Sequence, residues 1–214
     1  MSDAHPIAVG RLTPAARDDY LAFFDHERGA AFADNPEWAR CYCLFYRLPR
    51  TIDWPGDAAR NRTAIDAALV VGEHEGYLAR AEGEVVGWLN AQPRHKLPHC
   101  FERMRIPVPP LDVPDHEAAV IVCFVVAAGW RKRGVATALL DFALADFAER
   151  GLRVVDAFPF RTEGSADPTD HYHGPASLFA ARGFERVARH EDLDVMRLRL
   201  ASPEGVVARD RPAP

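Results

Sequence analysis

The stretch "EAAVIVCFVV", residues 117–126, constrains this chain more than any other. After its first residue it has neither charge nor polar alternation, which predicts a strand buried on both faces, inside a sheet covered by helices on each side. The uncharged run continues to Trp130, and its 13 residues from Ala118 are too few to cross a bilayer. Directly after it stand Arg131, Lys132, Arg133 and Gly134, followed by "VATALLDFALADFAER", which predicts a helix closed at Gly151. A buried strand that ends in a glycine-containing turn and opens a helix presents free backbone N–H groups at the positive end of the helix dipole. Such a turn is an anion site. Gly134 permits close approach, Ala136 keeps the first turn clear, Thr137 adds a hydroxyl donor, and three cations favour a multiply charged ligand such as a phosphate. The alternative is a solvated basic turn. A dinucleotide fold would need Gly-x-Gly-x-x-Gly, and a P-loop Gly-Lys-Ser/Thr; neither pattern is present here.

With 214 residues, 48% hydrophobic and 27% charged, the chain can build one well-buried core. We expect a single domain over residues 1–200 and a C-terminal tail over 201–214. The start, "MSDAHPIAVGRLTP", has neither the basic beginning nor the apolar middle of a secretory signal. Together with the short apolar runs, this predicts a cytoplasmic protein with no membrane partner. A net charge of −5 argues against a nucleic-acid partner, because such a surface must neutralise many phosphates. Cys41, Cys43, Cys100 and Cys123 are spaced too irregularly for a zinc pattern, so free thiols and no metal are expected.

Further elements follow from periodicity and punctuation. A strand is predicted at Ile7 to Arg11, then a helix capped by Thr13 with Pro14 at its first position. Residues 29–50 are aromatic-rich and irregular, with an extended piece from Cys41 to Tyr46. A second helix carries the stripe Ala64, Ile65, Ala68, Leu69. Strands at Tyr77–Ala81 and Val85–Gln92 form a hairpin through Glu82-Gly83-Glu84. Residues 94–116, with five prolines, read as a loop. After the signature helix come a strand in "LRVVDAF", a short helix from Pro175 to Arg182 and two final strands.

Arg131-Lys132-Arg133-Gly134-Val135-Ala136 resembles the phosphate signature Arg/Gln-x-x-Gly-x-Gly/Ala of the GNAT superfamily of acyl-CoA-dependent N-acetyltransferases. "SLFAARGFERV" resembles that family's aromatic-x-x-x-Gly-Phe close, with Gly183 and Phe184 in place, and the element order is similar over nearly the whole chain. The resemblance implies an α+β fold: a mostly antiparallel central sheet flanked by helices, with splayed central strands. It implies acetyl-CoA as cosubstrate, its pyrophosphate on Arg131, Lys132, Arg133, Gly134, Val135, Ala136 and Thr137. Its pantetheine would pair with backbone at Phe124, Val125 and Val126, the amide of Val125 or Val126 facing the thioester carbonyl.

The catalytic pattern departs from that family. Where relatives carry a tyrosine acid, this chain has Phe179; where many carry a strand base, it has Val120 and Val122. Candidates for moving protons therefore come from loops: Asp115, His116 and Glu117 before the buried strand, and His171, Tyr172 and His173 before the late helix. Tyr172 is the candidate acid toward the departing thiolate. Both clusters have an ordinary structural reading as polar chain segments. Cys41 and Cys43 on an extended piece would share a side, as a thiol pair, as half of a soft-metal site or as buried small hydrophobes; Cys123 reads as core or as an acetyl-relaying nucleophile.

These readings combine into an N-acetyltransferase that moves acetyl from acetyl-CoA directly to a primary amine of a small molecule, peptide or protein. The competing readings are an acyl-CoA-binding module of the same fold without turnover, and an interaction domain without cofactor. The sequence leaves the acceptor and a homodimer open. Acids in "PPLDVPDHE" and "EGSADPTDHYH" are candidates for attracting a cationic amine.

Overall fold

The computed structural model describes residues 6–54, 56–162 and 171–201. Among these, seven strands form one sheet: β1 Ala8–Arg11, β2 Tyr77–Ala81, β3 Glu84–Pro93, β4 Ala118–Val126, β5 Val154–Ala157, β6 Glu185–His190 and β7 Leu193–Arg199, in the order β1-β2-β3-β4-β5-β7-β6. Every neighbouring pair is antiparallel except β4 with β5. Five helices flank it: α1 Arg17–Phe23, α2 Ala58–Val70, α3 Cys100–Met104, α4 Val135–Glu149 and α5 Ala176–Ala180. This is the expected α+β architecture.

Two cores lie on opposite faces of the sheet. One packs α1, α2, α3 and residues 31–48 against Val120, Val122 and Val125; the other packs α4 and α5 against Ala119, Ile121 and Phe124. β4, buried at eight of its nine positions, is the shared floor, as its unbroken apolar run requires. Helix α4 buries Val135, Leu139, Leu140, Ala143 and Phe147. It comes close to β3 because Gly87 has no side chain: a Cβ there would lie 2.6 Å from Val135 Cγ1 and 3.2 Å from Leu139 Cδ1. At its far end the amides of Gly151 and Leu152 return to the carbonyls of Ala148 and Phe147, a Schellman closure with Gly151 at φ +77°.

Several expectations are corrected. Cys41–Tyr46 is not extended: Tyr42 and Cys43 take φ of 45° and 49°, and a 3₁₀ turn follows at Phe45–Arg47. Tyr42 is fully buried, and packing of its ring holds a left-handed backbone that local preference disfavours. In α2, Ala64 is exposed and Asn61 joins Ile65, Ala68 and Leu69 on the buried face, its side-chain amide donating to the Arg40 carbonyl at 2.9 Å. Thr13 makes no side-chain cap, whereas Asp57 caps α2 by accepting from the Arg60 amide at 2.7 Å. The proline-rich loop includes α3. No helix among the described residues is long and apolar enough to cross a membrane. The predicted tail beyond Ala201 and the acids of 163–170 lie outside the described residues.

Candidate active site

The site begins with one extra residue. Along β3 and β4 the register runs Leu89↔Phe124 and Asn90↔Cys123, then Ala91↔Ile121, so Val122 has no partner and forms a bulge. Pairing of β4 with β5 also stops at Ile121↔Ala157. Beyond that point the two strands part, and residues 171–174 enter the fork. The Phe124 amide donates to the Tyr172 carbonyl at 2.6 Å, and His173 Nδ1 lies 2.6 Å from the Phe158 carbonyl. Gly174 makes this possible with φ +84°; a Cβ there would come within 2.9 Å of Phe124 Cε2 and 3.0 Å of Phe179 Cζ.

Hydrogen bonding assigns the remaining backbone groups of β4. The Ala127 amide reaches the Val86 carbonyl at 3.0 Å, so alternation turns the Val125 amide toward Trp88 and those of Phe124 and Val126 into the fork. Of the two expected carbonyl holders, Val126 has the required direction and Val125 does not. Phe124 already spends its amide on Tyr172, which narrows the expected strand-like pairing to Val126 and the Phe124 carbonyl.

The turn into α4 is bent by Lys132 at φ 60° and Gly134 at φ 86°, with no side chain capping the helix. The amides of Val135, Ala136 and Thr137 are the first of the helix and receive no cap among the described residues; the Gly134 carbonyl starts the ladder at Ala138. Space beside Gly134 is open. The three cations differ, contrary to the expectation that they act together. Arg131 is tied to Asp34 through both terminal nitrogens, one at 3.0 Å, and its Nε reaches the Val126 carbonyl at 3.2 Å. This pair holds the Asp34 carboxyl below the usual range. Lys132 and Arg133 are exposed, the latter over the Trp130 ring at 5.3 Å.

A cavity of about 310 Å³ joins this turn to the fork, lined by Asp34, Trp38, Val126, Arg131, Ala136 and Tyr172 among others. A second, of about 450 Å³, lies behind it. The two share Phe32, Trp38, Val125 and Tyr172. Tyr172 thus stands in the common wall with its hydroxyl near that of Tyr46, and burial pushes its pKa up to about 12. Tyr46 in turn bonds to His173 Nε2. A carbonyl can only accept, so the proton of His173 sits on Nδ1 toward Phe158 and Nε2 accepts from Tyr46. Burial brings His173 down to about 4, so it is neutral near pH 7 and does not titrate there, contrary to expectation.

Other candidates fall elsewhere. His116 and Glu117 occupy the 3₁₀ turn at Asp115–Glu117, at the opposite end of β4, roughly 20 Å along the strand from Phe124. Glu117 pairs with Arg153 at 3.1 Å, Asp115 with Arg94 at 3.1 Å and Asp112 with Arg199 at 2.9 Å, so the acids of "PPLDVPDHE" serve structure away from both cavities. Strand polarity explains the correction: residues before a strand and after it lie at opposite ends. His171 lines the first cavity, with Thr162 Oγ1 at 3.2 Å from its Nδ1. Phe179 is fully buried between Phe124 and Phe184 and lines neither cavity. Val120 and Val122 are likewise buried in the core.

All three cysteines of interest line the second cavity. Burial pushes Cys43 up, but donation from the Cys123 thiol and from Asn90 Nδ2 at 3.3 Å outweighs it and leaves the thiol below its ordinary value. Cys41 and Cys123 are shifted upward, Cys41 mainly by burial and Cys123 mainly by that bond to Cys43. Tyr46 and Asp34 are the site residues that sequence reasoning missed. Both lie in the irregular 29–50 segment, whose aromatic richness was the one available signal.

A mixed sheet parted at a bulge, with a helix start at the mouth of the fork and two chambers meeting at one wall, makes a cleft suited to an elongated anionic ligand. The family model for the acetyltransferase (GNAT) family matches residues 22–166, and the chain belongs to that family. The fold is similar to that of a GNAT-family protein from Desulfovibrio desulfuricans, with 17% identity, 92% of this chain and 100% of that one covered, and a TM-score of 0.52. It is also similar to a GCN5-related N-acetyltransferase from Kribbella flavida, with 18% identity, 91% and 98% covered, and a TM-score of 0.51. The PaiA N-acetyltransferase of Thermoplasma acidophilum, in complex with coenzyme A, is 10% identical over 91% and 99% of the chains, with a TM-score of 0.50. No curated protein matches the sequence significantly. Among the described residues no cluster of three or more histidines, cysteines or acids is arranged to hold a metal ion.

Proposed function

We propose that this protein transfers the acetyl group of acetyl-CoA directly to a primary amine. The observation that carries the reading is the fork opened at Val122, which leads from the free helix start at Gly134 to the wall containing Tyr172. The residues present fit the cosubstrate. The amides of residues 135–137 and the exposed Lys132 and Arg133 would hold its phosphates, and the inward amide of Val126 would polarise the thioester carbonyl. The relative from Thermoplasma acidophilum holds coenzyme A, which supports the same ligand here.

Acetyl-CoA supplies the activated acyl group; the chain supplies orientation and proton control. Tyr172, protonated at neutral pH, can donate to the departing sulfur, and the Tyr46 ring, anchored through its hydroxyl on His173 Nε2, fixes the wall beside it. His173 is a positioning residue: it fixes Tyr46, which faces Tyr172. The second reading, a binding module without turnover, is favoured by Phe179, Val120 and Val122, which remove the family's acid and base positions.

Thermal unfolding with acetyl-CoA, NAD and ATP, paired with coenzyme A release in the presence of an amine panel, separates the readings. A ligand at a hundredfold excess over Kd adds about 2.7 kcal/mol, a shift of roughly 5–10 °C, expected for acetyl-CoA alone. Binding without release for any amine would favour the module; equal shifts with all three ligands would remove the acyl-CoA assignment.

A further inference from the structure

The second cavity is walled by the rings of Phe32, Trp38, Phe45, Tyr46, Trp54 and Tyr172. Cys41, Cys43 and Cys123 are half of the remaining lining residues, and free thiols pack as small apolar groups. Its walls are braced: Phe45 meets Tyr46 and Trp54 edge-on at 4.9 and 5.2 Å, Trp38 meets Tyr172 at 5.1 Å, and the Arg103 guanidinium backs Phe45 at 4.9 Å. Its charged side chains, Glu37 and Arg40, are both exposed and of opposite sign. A carboxylate, phosphate or second ammonium taken inside would therefore lose its water without gaining a buried counter-charge.

We infer that the acceptor is a primary aralkylamine: one amino group on a compact aromatic body with no second charge. This rests on the acetyl-transfer reading and specifies its second substrate. A volume of about 450 Å³ suits one or two rings, and six aromatic walls provide edge and face contacts for them. The same lining explains a departure from the family pattern. An amine reacts only when neutral, and no side chain at Val120 or Val122 can take its proton. An apolar chamber disfavours the ammonium form of whatever amine it encloses, so desolvation does part of the work of a base, and the proton leaves to water as the amine enters. The transfer then balances: the amine nitrogen bonds to the acetyl carbon, the carbon–sulfur bond breaks, and the nitrogen loses a proton while the thiolate gains one.

The test uses a matched pair, 2-phenylethylamine and phenylalanine, which share an aromatic body and differ by a carboxylate. Coenzyme A release should give 2-phenylethylamine a kcat/KM at least about a hundredfold higher, equivalent to about 2.7 kcal/mol. Trp54→Ala should lower that value about tenfold or more while leaving the thermal shift with acetyl-CoA unchanged. Binding is read separately from tryptophan fluorescence, because Trp38 and Trp54 both line the chamber. Saturable quenching by 2-phenylethylamine and none by phenylalanine supports the assignment even if turnover fails, an outcome that would sink the acetyl-transfer reading alone. Equal or better use of phenylalanine, spermidine or an alanyl peptide, or absence of 2-phenylethylamine binding with coenzyme A present, overturns it.

Discussion

Acid should unfold this protein earlier than its surface charges require, and two buried histidines set the size of the effect. His74 is 2% exposed, stacked on Trp88 with ring centroids 5.3 Å apart, and its Nε2 lies 3.1 Å from the Tyr20 hydroxyl. His173 is 1% exposed. Burial, aided by nearby Arg47, lowers His74 to about 3, and burial lowers His173 to about 4. In the unfolded chain both return to about 6.5. Between pH 6.5 and 4 the unfolded state thus binds protons that the native state refuses, and stability must fall as pH falls. At pH 4.5, two units below 6.5, each group costs nearly 3 kcal/mol and the two together roughly 5 kcal/mol, a large share of the 5–15 kcal/mol typical of a domain. Urea unfolding followed by tryptophan fluorescence from pH 7 to 4.5 measures this directly. His74→Gln, less stable at pH 7, should show about half the wild-type loss over the same interval. The lowered carboxyls Asp34, Asp66 and Asp112 titrate mostly below this window and cannot imitate it. A wild-type curve flat to pH 4.5, or an unchanged slope in His74→Gln, would refute the argument.

Three further outcomes follow from the site. Gly134→Glu adds a side chain at φ +86° and a negative charge over the free amides of α4, so it should stay folded and lose the thermal shift with acetyl-CoA. Tyr172→Phe should lower kcat about a hundredfold with acetyl-CoA binding unchanged, and an unaltered kcat where chemistry limits turnover would remove Tyr172 as acid. Phe179→Tyr should not rescue it, because that ring lines neither cavity. Gly87→Val should destabilise by about 1–3 kcal/mol in urea and weaken acetyl-CoA binding, since the new methyls push Val135 and the start of α4 off β3.

The parts of the molecule legible in the sequence were those where one residue type forces one conformation. Gly134 and Gly151 mark the ends of α4, the uncharged run marks β4, and Glu82-Gly83 marks the hairpin, because each choice is local. The chambers were not legible in this way. Residues 29–50 follow neither a helical nor a strand period because their backbone is held by tertiary contacts, such as Tyr20 donating to the Tyr42 carbonyl at 2.9 Å and Asp34 pairing with Arg131. Tyr46 meets His173 across 127 positions of sequence, a separation no local pattern encodes. His116 and Glu117 were misplaced for a simpler reason: a cluster of ionisable residues beside the right strand says nothing about which end of that strand does chemistry.

The unpaired Val122 puts the two halves of β4 out of phase. Upstream, even-numbered side chains face α1 and α2; downstream, odd-numbered ones do, so Val120 and Val122 share a face with Cys123 and Val125. Deleting that one residue would return the strand to a single phase. Cys123 would follow Ile121 directly, every other side chain would keep the face it has now, and the bend and added twist of the bulge would go. The straightened strand would be free to go on pairing with β5 beyond Ile121, and the fork would narrow. One residue of slack, costing the sheet its regularity, keeps the fork open beside the two chambers.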